Sequence, residues 1–441
     1  MKFIMILLCK VLAFIGKLLK KGTSLPGKIV LRLCPDILSR ITLPKYVIAV
    51  TGSNGKTSTV EMIASVMKEN GLKVVWNKEG SNQIEGVTTL LLKNSSFSGK
   101  VKGDVIVIES DERYARHTFK YIKPTHFAIL NLYRDQLTRN VHPFWIYDII
   151  KEAVDLIPDA MLVLNADDPI ISRYGLGREN VRYFSMAENP YSVSETDAVY
   201  NDCYYCPVCG EKMEYSYFHY AHLGRFNCSC CDYKAHDGEF VIDKVDLDAA
   251  RISICNQDID IAFASRYNVY NLCAAFALCS LVGIPEDQTA RCLSSFIMKN
   301  GRVVRFKAGE NEGTLITSKH ENSTSYNRSL EFLCSEKEPF TVAIIVDSIS
   351  RKYYTTETSW LWDISFEMLK SSRAKKILLC GSYAYDLAVR FGCTDIDRSI
   401  IEVIPDLDIM AQRLRDPDAG KLYAVTCFSD KGKLFERVDL I

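Results

Sequence analysis

The sequence predicts a multidomain α/β protein: a central domain with a P-loop-like parallel sheet and a cysteine-rich insertion, then a smaller C-terminal α/β domain. Three observations carry that expectation. Short continuous apolar runs alternate with helical stretches along most of the 441 residues, the pattern of a mostly parallel sheet covered on both faces. One of these runs feeds a glycine-containing turn that opens directly into a helix. Between about Tyr183 and Ala249 the periodicity fails, and six of the sixteen cysteines gather between Cys203 and Cys231.

At the N-terminus, Phe3, Ile4, Leu7, Leu8, Val11, Leu12, Phe14, Ile15, Leu18 and Leu19 recur at helical spacing, punctuated by Lys2, Lys10, Lys17, Lys20 and Lys21. Lys10 and Lys17 interrupt anything that could span a bilayer, and no small-residue cleavage site follows. An amphipathic helix is predicted, docked on its own protein, with the inner face of a membrane as the alternative. Lys45 to Val50 reads as a strand and Thr57 to Asn70 as a helix stopped by Gly71. Val74 to Trp76, Val105 to Ile108, Phe127 to Leu130 and Met161 to Leu164 are further strands. Order returns after the insertion at Tyr267 to Val282, a helix closed by Gly283 and Pro285. Gly301 marks a boundary. Beyond it, Thr314 to Thr317, Phe340 to Val346, Lys376 to Cys380, Ile400 to Ile404 and Leu422 to Thr426 alternate with helices again. The expected division is a lead-in at 1–43, a central domain at 44–300 with its insertion at about 200–240, and a C-terminal domain at 301–441.

With 54 basic and 54 acidic side chains the formal net charge is zero, which argues against a nucleic-acid-backbone binder. The ten cysteines outside the cluster stand singly in the chain. They read as small buried hydrophobes in a reducing compartment, hence a cytoplasmic protein.

Thr51-Gly52-Ser53-Asn54-Gly55-Lys56-Thr57 is the strongest single motif. Glycines let backbone N–H groups approach phosphate oxygens, and a following helix aims its N-terminus at the anion. Lys56 can reach the β- and γ-phosphates of ATP, and the Thr57 hydroxyl can ligate magnesium. Gly52, Asn54, Gly55, Lys56, Thr57 and Ser58 therefore form the candidate ATP-binding loop. It is shorter than the usual Walker spacing, with Val50 where the first glycine would stand; the plainer alternative is a glycine turn that carries a lysine. Glu109 ends a strand, with Asp111 and Glu112 close behind. Three acids after a buried strand suit a magnesium ion shared with phosphates better than a solvated strand end.

The cluster reads Cys206-x-x-Cys209, eighteen residues, Cys228-x-x-Cys231. Two such pairs fit a tetrahedral zinc ribbon, structural because four thiolates leave no open position. A redox pair or chance clustering are the alternatives, and Cys203 and Cys230 are spare.

The loop resembles the Thr-Gly-x-Asn-Gly-Lys-Thr motif of the Mur ligase family. So do Asn131-Leu132-Tyr133-Arg134-Asp135-Gln136 (with Gln136 for the family's histidine), Asn165-Ala166-Asp167-Asp168-Pro169, Tyr267-Asn268-Val269-Tyr270-Asn271 and Gly301-Arg302. The resemblance implies that Glu109 binds magnesium, that Asn131 and Asn271 contact adenine, and that Arg302 contacts the γ-phosphate. An amide can both donate to and accept from a purine edge, and a guanidinium suits a transferring phosphoryl group.

Within the family, four features are similar to the MurT-type synthetase subunits. These are the lead-in around Thr23-Ser24-Leu25-Pro26-Gly27, the Asn77-x-x-Gly80-x-Asn82 turn, the cysteine insertion, and Ser359-Trp360-Leu361-Trp362-Asp363 followed by Phe366-Glu367. That likeness implies ATP-dependent amidation of D-isoglutamate in lipid II through an acyl phosphate, with ammonia from a GatD-like glutaminase partner. Glu357 stands where the family lends an aspartate to that partner's site, and Lys319 is displaced from a Lys-Asn-Pro stretch that here reads Glu321-Asn322-Ser323. Two alternatives remain: an amino-acid-adding Mur or folylpolyglutamate-type ligase, and a catalytically degenerate nucleotide-binding zinc-ribbon scaffold.

Overall fold

The computed structural model describes residues 1–18, 24–77, 81–136, 140–196, 198–261, 266–296, 303–319, 321–349 and 356–441. The chain divides into two compact units, Met1–Leu132 with Pro143–Met298, and Tyr133–His142 with Lys299–Ile441.

The first unit begins with helices α1 (Lys2–Leu18) and α2 (Leu25–Leu33). It continues as β1 (Tyr46–Thr51), α3 (Lys56–Glu69), β2 (Val74–Trp76), α4 (Ile84–Lys93), β3 (Val105–Glu109), α5 (Ala115–Phe119) and β4 (His126–Ile129). After Pro143 come α6 (Pro143–Asp155), β5 (Met161–Asn165), α7 (Pro169–Ser172) and β6 (Val181–Met186). A separate hairpin, β7 (Glu214–Tyr220) and β8 (Leu223–Asn227), precedes β9 (Phe240–Asp246), β10 (Arg251–Ile254), β11 (Gln257–Asp260), α8 (Arg266–Leu281) and α9 (Glu286–Ser294).

Among the described residues the main sheet runs β11-β10-β9-β6-β5-β4-β1-β3-β2. Neighbours from β9 to β2 are parallel, and β9, β10 and β11 pair antiparallel. The central strands are buried along nearly their whole length, which is why they read as continuous apolar runs. The chain lays β3 and β2 on one side of β1 and β4 to β6 on the other. A crevice therefore opens at the carboxyl ends of these strands, where ligands bind in open α/β sheets. Val50 pairs opposite Glu109, so the loop after β1 and the acids after β3 leave the sheet at one edge. Helices α1 and α2 close one flank: Ile6, Cys9 and Val30 are buried with Val47, Val75, Val87 and Leu91. The sequence pattern lapses from Tyr183, yet β6 and β9 both belong to the sheet. Only the stretch between them departs from it.

The second unit contains β12 (Val303–Ala308), β13 (Asn311–Ser318), α10 (Ser323–Cys334), β14 (Phe340–Ile345), β15 (Ala374–Cys380) and α11 (Ala384–Phe391). It ends with β16 (Ile401–Ile404), α12 (Leu407–Arg415), β17 (Lys421–Cys427), α13 (Lys431–Phe435) and β18 (Asp439–Leu440). Its sheet runs β16-β15-β14-β17-β13-β12-β18, parallel from β16 to β13. Tyr326, Trp360, Phe366 and Phe391 fill one face, and Phe306, Leu378 and Met410 the other.

Candidate nucleotide site and cysteine centre

The loop after β1 is shaped by two glycines and one asparagine. Gly52 has φ +144° and Gly55 φ +84°, backbone geometries that side chains with a Cβ rarely adopt. A Cβ on Gly55 would lie 2.1 Å from Asn271 Oδ1, so α8 is pressed against the loop. Asn131, just beyond β4, holds the loop from below. Its carbonyl accepts from Ser53 N at 2.9 Å, its Oδ1 from Asn54 N at 2.8 Å, and its Nδ2 donates to Asn54 O at 3.1 Å. Asn271 Oδ1 is buried and makes no hydrogen bond, an acceptor awaiting a donor. The cradle, the helix N-terminus and that orphaned acceptor fit a nucleotide.

Lys56, the first residue of α3, donates to the Gly52 carbonyl and to Glu112. Thr57 Oγ1 donates to Glu109 Oε2 at 2.8 Å, and Asn82 Nδ2 to Glu109 Oε1 at 3.1 Å. Asn77 exchanges two bonds with the Glu109 backbone, from Nδ2 to its carbonyl at 2.9 Å and from its N–H to Oδ1 at 2.8 Å. A hydroxyl and a buried carboxylate side by side form the hard-oxygen donor set that magnesium takes alongside phosphate. Sequence reading singled out Asn77 and Asn82 only as part of a turn, and Glu112 only as a neighbouring acid. The geometry makes the two asparagines the clamp on Glu109 and Glu112 the counter-ion of Lys56. Ser58 follows in the first turn of α3. Arg302, Lys78 to Gly80 of the Asn77 turn and the Tyr267 side chain lie outside the described residues.

The four cysteines meet between β6 and β9. The Sγ atoms of Cys206, Cys209, Cys228 and Cys231 all lie within 4.8 Å of one another, with Cys206–Cys231 at 3.6 Å and Cys209–Cys228 at 3.5 Å. A zinc ion with Zn–S bonds of about 2.3 Å needs tetrahedral sulfur separations near this size. Each Cys-x-x-Cys pair is a turn: Gly210 N bonds the Cys206 carbonyl, and Cys228 N the Tyr233 carbonyl. Burial would raise the Cys228 thiol, but the N–H groups of Cys231 and Cys230 bring it down to about 7. Cys230 is exposed, while Cys203 is buried in the core of the main domain.

The Asn165–Pro169 motif ties this ribbon to the sheet. Asp167 accepts from Tyr270 Oη at 2.7 Å and from Met186 N at 2.8 Å, while its own carbonyl accepts from Gly224 N of the hairpin at 3.0 Å. Asp168 caps α7, accepting from Ile170 N and Ile171 N, and lies 3.5 Å from His222 Nε2. Burial pushes the Asp167 carboxyl up to about 7 in spite of its donors.

In the second unit, three departures from the family pattern prove to be neighbours. Lys319 pairs with Asp135, and Gln136 N donates to the Glu321 carbonyl at 2.7 Å. Asn322 caps α10 through Ser325 N at 2.7 Å. The displaced lysine thus meets the aspartate of the Asn131–Gln136 segment. Glu357 is exposed, and its Oε1 accepts from Ser359 N at 2.8 Å, holding its carboxyl below the usual range. The neighbouring Thr358 hydroxyl bonds Asp386 at 3.0 Å.

Comparison with known proteins agrees with this architecture. The Mur ligase middle domain model matches residues 50–230, and the MurT ligase C-terminal model residues 320–430. The lipid II isoglutaminyl synthase (glutamine-hydrolyzing) subunit MurT of Staphylococcus aureus (strain COL) is 25% identical over 426 residues, covering 95% of this chain and 93% of its own. That of Streptococcus pneumoniae (strain ATCC BAA-255 / R6) is 28% identical over 423 residues, covering 94% and 92%. Among solved structures, a pseudomurein peptide ligase type C from Methanothermus fervidus shares the fold with a TM-score of 0.68 at 19% identity, covering 91% of this chain and 80% of its own. The MurF ligase from Thermotoga maritima in complex with ADP gives a TM-score of 0.57 at 17% identity, with coverage of 91% and 80%. With a Mur-type phosphate loop on its first sheet and a MurT-type C-terminal domain after it, the chain belongs to the Mur ligase family.

Proposed function

We propose that this chain is the synthetase subunit of a lipid II isoglutaminyl synthase, working in the cytoplasm with a GatD-like glutaminase. Its substrate is the α-carboxylate of D-isoglutamate in the lipid II stem peptide, and its product is D-isoglutamine. The observation that carries the reading is the convergence of the α3 N-terminus, Lys56 and the Thr57–Glu109 pair on one sheet edge. The likeness to curated MurT subunits along almost the whole chain supports the choice of substrate.

In the reaction, a carboxylate oxygen attacks the γ-phosphorus of ATP and the bond to ADP breaks. Ammonia then attacks the carbonyl carbon of the acyl phosphate, inorganic phosphate leaves, and the nitrogen sheds a proton as the amide forms. The protein's share is positioning and charge stabilisation. Lys56 exchanges Glu112 for phosphate oxygens, and the first-turn N–H groups of α3 face the same anion. Arg302 neutralises the γ-phosphate, a role assigned by resemblance. Asn271 contacts adenine, a role likewise assigned by resemblance. Magnesium held by Thr57 and Glu109 would neutralise charge on the phosphate oxygens. Zinc on the four cysteines would hold the ribbon together and take no part in the chemistry.

The test is reconstitution with the glutaminase, lipid II, ATP, magnesium and glutamine, following conversion of one carboxyl to a carboxamide by mass spectrometry. The intact complex should form the amide. Lys56→Ala should lose ATP turnover while keeping its thermal midpoint and its partner. Undiminished amidation by Lys56→Ala would remove the loop from the mechanism, and with it this reading.

A further inference from the structure

Helix α1 is apolar on two opposite sides, and the fold uses only one. Ile6 and Cys9 are fully buried against the first unit. On the other side Ile4, Leu7, Val11, Phe14, Ile15 and Leu18 form a stripe at helical spacing, between 42% and 69% exposed. Phe97 continues it, its ring 4.9 Å from that of Phe3.

The segment that carries the stripe has one sign of charge. Seven cations and no carboxylate precede Asp36, in a chain whose formal net charge is zero. Lys10 donates to the Lys93 carbonyl at 2.9 Å and lies 5.7 Å from the Phe97 ring centre, so its ammonium sits at the stripe's border. Burial first, and then the neighbouring Lys102, hold Lys10 below its usual value. Lys17 stands on the same edge of the helix, exposed. Among the described residues no helix is long and apolar enough to cross a membrane. An exposed apolar stripe about 21 Å long, bordered by lysines, has the form of a helix that lies in the plane of a bilayer surface.

We infer that the exposed face of α1 docks on an anionic lipid bilayer, with its apolar stripe at the acyl boundary and Lys10, Lys17 and Lys93 among the headgroups. In a two-fold dimer through this face the same lysines would meet one another, which disfavours a second copy. The inference is independent of the ligase chemistry, since no residue of the phosphate loop takes part.

The test is flotation of the full chain with vesicles of equal parts phosphatidylglycerol and phosphatidylcholine, and with phosphatidylcholine alone. The protein should float with the anionic vesicles, less with the neutral ones, and less again at high salt. Val11→Glu with Phe14→Glu should lower the anionic partition at least about tenfold while keeping the thermal midpoint. If that variant does not fold, Leu7→Gln with Ile15→Gln replaces it under the same criterion. Lys17→Gln with Lys93→Gln should lower partition onto anionic vesicles and leave neutral ones unaffected. Failure of the wild-type chain to float, or equal flotation of the stripe variant, would overturn the inference. So would a concentration-dependent dimer, abolished by the stripe variant, in a chain that ignores vesicles; the stripe would then belong to a second copy.

Discussion

Gly55→Ala puts the loop geometry to a quantitative test. An alanine at φ +84° must adopt a left-handed backbone, at about 1–2 kcal/mol for an L-residue. Its Cβ would also lie 2.1 Å from Asn271 Oδ1 and 2.5 Å from Cγ. Asn271 is only 3% exposed on a closely packed helix, so its amide has little room to withdraw, and overpacking of this kind costs about 1–3 kcal/mol. The expected loss is about 2–5 kcal/mol, a large part of a typical domain's stability. The two contributions can be separated. Adding Asn271→Ala relieves the overlap but not the backbone strain, so the double variant should recover about 1–3 kcal/mol. Chemical denaturation of the full chain gives the stability, and calorimetric titration with ATP reports the loop. A Gly55→Ala chain within about 0.5 kcal/mol of wild type would refute the reasoning, as would a double variant no more stable than the single one.

Three further outcomes are expected. Purified chain should hold one zinc per molecule by elemental analysis, and Cys206→Ser with Cys228→Ser should abolish it; retention of the metal would exclude the four-cysteine site. Glu357→Gln keeps an oxygen for Ser359 N–H but loses the charge, so glutamine-driven amidation should fall about tenfold or more while amidation with external ammonium survives. Equal loss by both routes would place Glu357 in the synthetase chemistry instead. Asp167 has a folded pKa of about 7 against an unfolded 3.8, so the folded state binds its proton more tightly. Its contribution is complete below the lower value and is lost as pH rises through the higher one. The thermal midpoint should therefore fall between about pH 4 and about pH 7 in the wild type and less in Asp167→Asn; parallel profiles would show that another group titrates.

What the sequence makes legible follows from the range of the interactions involved. Strand β1, the loop and α3 announce themselves because burial on both faces, glycine geometry and helical spacing all act within one short stretch. The cysteine pairs are legible for the same reason, since each turn brings its own two ligands together. Strands β9 to β11 are not marked in this way: all three are partly exposed, and β10 and β11 are short antiparallel strands at the sheet edge, so no long continuous apolar run announces them. The clasp of Asn131 on Asn54 spans 77 residues, that of Asn77 on Glu109 spans 32, and the pairing of Lys319 with Asp135 spans 184. Side-chain bonds over such distances leave no periodic trace. They surface only when the sheet brings the ends of its strands level.

The asparagine clasp has a consequence for how a nucleotide is received. Ser53 and Asn54 direct their N–H groups to Asn131, so the loop holds its shape without a ligand. An arriving phosphate need not order this segment. It meets donors at the first turn of α3, where a helix cannot satisfy its own N–H groups. Association is then limited by encounter more than by loop closure, with a small entropic signature and little dependence of rate on loop rigidity. The amides of Ser53 and Asn54 should accordingly exchange slowly with solvent in the free protein and change little when ATP binds, while those of Lys56 and Thr57 become protected only in its presence.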